Sequence, residues 1–146
     1  MKIIIDGDAC PGISIIEKIA IKKNIPVKLY CDIHHFIQSN YIEVKVVDSG
    51  FQSVDMYVMN EAKSGDIVVS QDYGVAAICL SKKACVINPK GYIYNEDNIQ
   101  RLLEERHISQ KIRRGGGKTS NPKKRTKEDD IRLENNLIKL IESLEA

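Results

Sequence analysis

The chain has 146 residues with 42% hydrophobic and 29% charged content, long enough for one buried core and too apolar for a wholly disordered polymer. Its formal charge of +2 is a sum of opposites. Residues 106–127 carry nine bases and no acid, while the other 13 bases face all 20 acids, a balance of −7. Such segregation suits a polyanionic partner and says nothing about fold.

In chain order, residues 2–5 form a continuous apolar run and predict a strand. After Pro11-Gly12, Ile13, Ile16, Ile19 and Ala20 recur at helical spacing. Residues 26–31 and 43–47 predict two more strands, and the stretch 33–38 between them a loop or helical turn. Residues 53–63 place Val54, Tyr57, Val58 and Ala62 on one helical face before Gly65. A strand over 67–70, a helix over 73–82 and a strand over 84–87, halted by Asn88-Pro89, follow. Strands apolar on both faces and separated by helices mean a parallel sheet covered on two sides. The expected class is therefore α/β, a three-layer α/β/α arrangement on a mostly parallel five-stranded sheet.

Beyond this unit, Asn95 is a natural cap for a helix running to about Arg106, with Glu96 and Asp97 in its first turn. Residues 113–122 show no apolar periodicity and predict a basic, Gly-rich loop or arm. A last amphipathic helix is expected from about Lys127, capped by Thr126, with Ile131, Leu133, Leu137, Leu140, Ile141 and Leu144 on its apolar side. The organisation expected is an α/β domain over 1–109, the arm over 110–126 and a terminal helix over 127–146 packing on the same domain. No apolar run approaches the roughly 18 residues of a membrane span. The opening Met1-Lys2-Ile3-Ile4-Ile5 meets Asp6 too early for a signal-peptide core, so a cytoplasmic location is expected. Cys10, Cys31, Cys79 and Cys85 stand singly and read as reduced, mostly buried hydrophobes.

Chemistry is expected where the strands end. Asp6 and Asp8 follow the first strand, Asp72 follows the fourth, and Asp55 opens the second helix; Asp32 and Asp48 also end strands. In an open parallel sheet, ligands bind beyond the carboxyl ends, near the point where strand order reverses. Carboxylates gathered there repel unless a hard cation neutralises them, and oxygen-only ligands suit Mg²⁺ or Mn²⁺. The implied reaction is metal-assisted attack of water on a phosphodiester. The competing reading is that aspartates cap helices and populate turns, which fits single residues better than the Asp6-Gly7-Asp8 pair.

Other motifs carry less. Gly115-Gly116-Gly117-Lys118-Thr119 resembles a phosphate-binding loop, yet Ile112 stands where the motif needs glycine and no strand precedes it. Its glycines and cations suit an arm closing on phosphates, with Arg113, Arg114, Lys118, Thr119, Lys123, Lys124 and Arg125 as candidate nucleic-acid contacts. His34-His35 lacks a third ligand at sensible spacing. Cys10 has no neighbouring base, and the carboxylates beside it raise its pKa. Tyr92 and Tyr94 alternate about Ile93, as in an edge strand or a base-stacking pair.

Asp6-Gly7-Asp8-Ala9-Cys10-Pro11 resembles the opening of the bacterial YaiI/YqxD family of uncharacterised proteins. The resemblance continues through Asp48-Ser49-Gly50-Phe51, Asp55, Gly65-Asp66-Ile67-Val68-Val69-Ser70-Gln71-Asp72-Tyr73-Gly74 and Asn88-Pro89-Lys90-Gly91. It covers nearly the whole chain, and it departs at Met56, where the family has a second acidic residue. Such proteins look like relatives of the PIN-like nuclease fold, whose site is a set of metal-binding acids. Carried over by position, the resemblance implies Asp6, Asp8, Asp55 and Asp72 as catalytic and metal-binding residues.

Three functions follow as expectations. The leading one is a Mg²⁺- or Mn²⁺-dependent nuclease acting on RNA or single-stranded nucleic acid. The second is a phosphatase of the haloacid-dehalogenase type, with Asp6 as nucleophile, Asp8 as acid and Gly65-Asp66 or Asp72 imitating the later acidic motif. Against that reading, the spacing between those acids does not fit and the Ser or Thr it wants at the end of another strand is not evident. The third is a nucleic-acid-binding protein that does not cleave.

Overall fold

The computed structural model describes residues 1–7, 10–33, 38–48, 53–114 and 124–146, with the backbone alone for 108–114. Five parallel strands carry the fold: β1 (Ile3–Asp6), β2 (Val27–Asp32), β3 (Glu43–Val47), β4 (Ile67–Val69) and β5 (Cys85–Ile87). A sixth, β6 (Ile93–Tyr94), pairs antiparallel with β5, as the alternation of Tyr92 and Tyr94 suggests. The sheet order is β3-β2-β1-β4-β5-β6. Ile5 at the centre pairs with Leu29 on one side and Val69 on the other.

The strand period of two sorts the core into two layers. Ile3, Ile5, Leu29, Ile67, Val69 and Ile87 face one cluster with Ile16, Ile19 and Ala20 of α1 (Ile13–Lys23). Leu133, Leu137 and Ile141 of α5 (Lys127–Glu145) complete it, all fully buried at a spacing of four. Ile4, Val68 and Val86 face the other cluster. Its helices are α2 (Val54–Glu61), α3 (Tyr73–Ser81) and α4 (Glu96–Arg114). The result is the expected three-layer α/β/α fold. Edge strand β3 exposes Glu43 and Lys45, which pair at 3.3 Å, and such charges discourage pairing with another chain.

The predicted caps form. Asn95 Oδ1 accepts from the Asn98 N–H at 2.8 Å, and Asn98 Oδ1 accepts from the Asn95 N–H at 2.9 Å. Thr126 and Asp129 make the same reciprocal box at the start of α5. Gly91 lets α5 approach: a Cβ there would stand 2.3 Å from the Leu133 nitrogen, and the residue has φ +92°.

Two expectations change. The helix expected to stop near Arg106 continues to Arg114, because no glycine or proline interrupts residues 107–114 and Gln, Lys and Arg are good helix formers. Arg113 and Arg114 thus sit on helical backbone, inside α4. Ile131 is 56% exposed, since it stands two residues, more than half a helical turn, from buried Leu133. Among the described residues no helix is long and apolar enough to cross a membrane.

Candidate functional site

Strand order reverses between β1 and β4, whose onward connections α1 and α3 cover opposite faces. A crevice at their carboxyl ends follows from that topology. Asp6 closes β1 there. The next residue, Gly7, donates its N–H to the Tyr30 carbonyl at 2.8 Å, and a Cβ would lie 2.6 Å from both that oxygen and Leu29 Cδ2. Only glycine lets β1 leave the sheet so close to β2.

Ser70, fully buried just past β4, ties the two strand ends together. Its hydroxyl donates to Asp6 Oδ2 at 3.0 Å and its Oγ accepts from the Asp72 N–H at 3.0 Å. One oxygen of Asp6 is thereby oriented, and the backbone entering α3 is fixed. Asp72 then caps α3, its Oδ1 accepting from the N–H groups of Gly74 at 2.7 Å and Val75 at 3.2 Å.

A cavity of about 530 Å³ opens over this junction. Asp6, Asp55 and Asp72 line it, brought from β1, the first turn of α2 and the cap of α3. Ser53, Gln71 and Arg106 complete its polar wall. Arg106 reaches in from α4, with Nη1 3.6 Å from Asp72 Oδ1. The first base of the positive segment therefore stands inside the acidic cavity. Both are partly solvated, so the pair itself contributes little stability.

Three of the four predicted acids thus share one cavity. Asp8 lies outside the described residues, as do Lys118, Thr119, Lys123 and His34-His35, and the side chains of Arg113 and Arg114. Among the described residues no three His, Cys, Asp or Glu side chains form a ready metal cluster. The donor chemistry of Asp6, Asp55 and Asp72, oxygen only and anionic, nevertheless fits a hard divalent ion.

At the far end of the basic segment Lys124 is exposed, whereas Arg125 is engaged. Its Nε donates to Asp130 Oδ1 at 2.7 Å and its Nη1 to the Pro89 carbonyl at 2.7 Å, pinning the start of α5 to the turn after β5. Burial, with Asp6 adding and Arg125 opposing, pushes the Cys10 thiol up to about 12, against a nucleophilic role. Cys31 and Cys79 are buried, Cys10 and Cys85 partly so, and all four are free thiols.

Ser70 and Tyr73 carry no site signal in the sequence beyond their place in the family motif, and Arg106 is marked there only as the first base of the positive segment. What could have marked Ser70 within that motif is a hydroxyl directly after the apolar run Ile67-Val68-Val69.

A family model described as "Uncharacterized BCR, YaiI/YqxD family" matches residues 4–143. A "UPF0178 protein" of Clostridium novyi (strain NT) is 64% identical over 141 residues, covering 97% of this chain and 95% of the relative. One from Clostridium kluyveri is 66% identical over 141 residues, covering 97% and 93%. One from Clostridium acetobutylicum is 48% identical over 136 residues, covering 92% of each chain. No solved structure gives a significant match.

Proposed function

The chain belongs to the YaiI/YqxD family, and we propose that it is a metal-dependent nuclease hydrolysing phosphodiesters of RNA or another single-stranded nucleic acid. The observation that carries this reading is the convergence of Asp6, Asp55 and Asp72, from three elements, on one cavity that also admits Arg106. The carboxylates would hold Mg²⁺ or Mn²⁺, with Asp8, two residues from Asp6 in sequence, as a further ligand or water-orienting group. Such an ion neutralises phosphate charge and lowers the pKa of its water. Ser70 holds the Asp6 carboxylate in one orientation. Arg106 offers a guanidinium fork to a phosphate oxygen, a geometry suited to that ligand.

An acidic cavity repels a polyanion unless positive charge accompanies it. The basic segment supplies that charge: Arg113, Arg114, Lys118, Thr119, Lys123 and Lys124 are the residues proposed to follow the phosphate backbone, and Arg125 serves chiefly to anchor α5. Incubating purified protein with Mn²⁺ and a mixed RNA pool tests the reading. Cleavage by wild type and its loss in Asp6→Asn are expected; no cleavage, or equal cleavage by both, refutes catalysis. Binding that survives chelator, weakens steeply with salt and leaves RNA intact would leave a non-cleaving binder.

One observation favours a second reading. A phosphatase with Asp6 as nucleophile needs a hydroxyl at the end of another strand, and Ser70 stands there at 3.0 Å from Asp6. Asp66 takes no part, since it lies before β4 at the opposite sheet edge, leaving Asp72 as the later acid. Trapping of phospho-Asp6 during turnover of a phosphate monoester would select this reading over the nuclease.

A further inference from the structure

A second cavity, of about 390 Å³, lies beside the acidic one, between β6, α4 and α5. Its size is within the roughly 300–1,000 Å³ of small-ligand sites. Tyr73 lines both cavities, so the two are neighbours in the fold. Their chemistry differs sharply. The first is walled by three aspartates and an arginine, whereas no carboxylate lines the second. Three tyrosines and three asparagines do, with Arg101 as the one charged group.

Two of the three tyrosines pack against each other. Tyr94 is 4% exposed, and its hydroxyl accepts from Asn88 Nδ2 at 3.0 Å. Tyr73 meets it edge-on, centroids 5.9 Å apart at 70°. Tyr92 is 54% exposed at the mouth, with the Arg132 guanidinium 4.3 Å from its ring centroid. The amides are oriented as well. Asn136 donates Nδ2 to the Gly91 carbonyl at 2.7 Å and Asn98 donates Nδ2 to the Ile93 carbonyl at 3.0 Å. Asn136 therefore turns its Oδ1 into an available acceptor. A flat ring with donors and acceptors on its edge fits the tyrosines and amides of this lining.

We infer that this cavity receives a nucleobase, that of a nucleotide adjoining the phosphate held in the acidic cavity, and that Tyr92 stacks on it. The inference rests on the proposed nuclease reading for its substrate, a single-stranded nucleic acid. In a duplex the base edge and both faces are already engaged, so the site also selects for unpaired strands. Tyr73 marks the point at which the strand passes from phosphate recognition to base recognition.

Fluorescence anisotropy with a labelled short single-stranded RNA tests this, against the same backbone in which the bases are replaced by abasic ribose. Wild type should bind the base-bearing strand roughly 5- to 150-fold more tightly, the range that stacking on an aromatic side chain supports. Tyr92→Ala should lose most of that discrimination, and Tyr92→Phe, which keeps the ring, should retain it. Tyr92 is exposed and its ring meets the Arg132 guanidinium, so Tyr92→Phe should melt with wild type and Tyr92→Ala no more than a few degrees below it, which circular dichroism checks. Equal affinity of wild type for the two strands, no binding of either, or unchanged discrimination in Tyr92→Ala overturns the inference. The same oligonucleotides with Mn²⁺ separate the two readings. Base discrimination without cleavage keeps the base site and removes the nuclease; cleavage indifferent to the bases does the reverse.

Discussion

The two ends of strand β4 each carry an aspartate, and the two are used in opposite ways. Asp66, just before the strand, is 5% exposed and surrounded by donors: the Lys2 N–H at 3.2 Å, Lys2 Nζ at 2.8 Å and the Lys63 N–H at 3.0 Å. It ties the start of β1 to the turn before β4. At the other end, Asp72 spends one oxygen on the α3 cap, and Asp6 takes the Ser70 hydroxyl, while both carboxylates line an open cavity. Residue type is the same in each case. Position along a parallel strand decides which carboxylate is architecture and which can meet a ligand.

The sharpest break of that comparison is a pair of substitutions with crossed effects. Asp6→Asn should lower RNA cleavage by about 100-fold or more, as loss of a group stabilising transition-state charge does, with melting unchanged. Asp66→Ala should do the reverse. It strands the Lys2 ammonium and two N–H groups, costing about 3 kcal/mol and lowering Tm by about 6–12 °C, with cleavage per folded molecule retained. Loss of activity in both with no change in melting would erase the distinction between the two ends.

Ser70→Ala probes the link between the strand ends. Asp6 loses its orienting hydroxyl and the Asp72 N–H loses its acceptor. Cleavage should fall about 10-fold and stability by about 1 kcal/mol, read from initial rates and denaturant melts. Thr126→Ala, at a residue that lines neither cavity, should cost about 1 kcal/mol through its cap and leave cleavage unchanged.

The smallest effect is on pH. The Lys28 ammonium, bonded to Glu61, holds that carboxyl below its ordinary range. The Thr126 N–H, and then Arg132, do the same for Asp129. Because both values are lower in the folded protein, their stabilisation is fully present above the ordinary carboxylate range and fades as pH falls through the folded values. Glu61→Gln should therefore flatten the decline of Tm on acidification below about pH 4.5, compared with wild type. An unchanged acid limb would show that the pair contributes nothing.

Much of the fold was legible because the apolar runs are unambiguous. Ile3, Ile4 and Ile5 are buried on both faces, as a central parallel strand requires, and Asn95 and Thr126 cap the helices they precede. The length of α4 was not legible. Its last turns carry Ile108 and Ile112 as their only apolar residues, among charged and polar ones that are helical by propensity. The site was legible in part for a different reason. Asp6, Asp55 and Asp72 follow from strand ends and topology, but Ser70, Arg106 and Tyr73 acquire their roles only through contacts between elements distant in sequence. Arg125 shows the converse: as one base among nine it read as part of the arm, and Asp130 and the Pro89 carbonyl make it a tether.

The central claim is that the carboxyl ends of β1 and β4 form a metal-dependent working site. Diffraction from crystals grown with Mn²⁺, using its anomalous signal, tests it most directly. The expected result is a peak bounded by Asp6, Asp55 and Asp72 that disappears in Asp6→Asn crystals. No peak there, or one that survives the substitution unchanged, would contradict it.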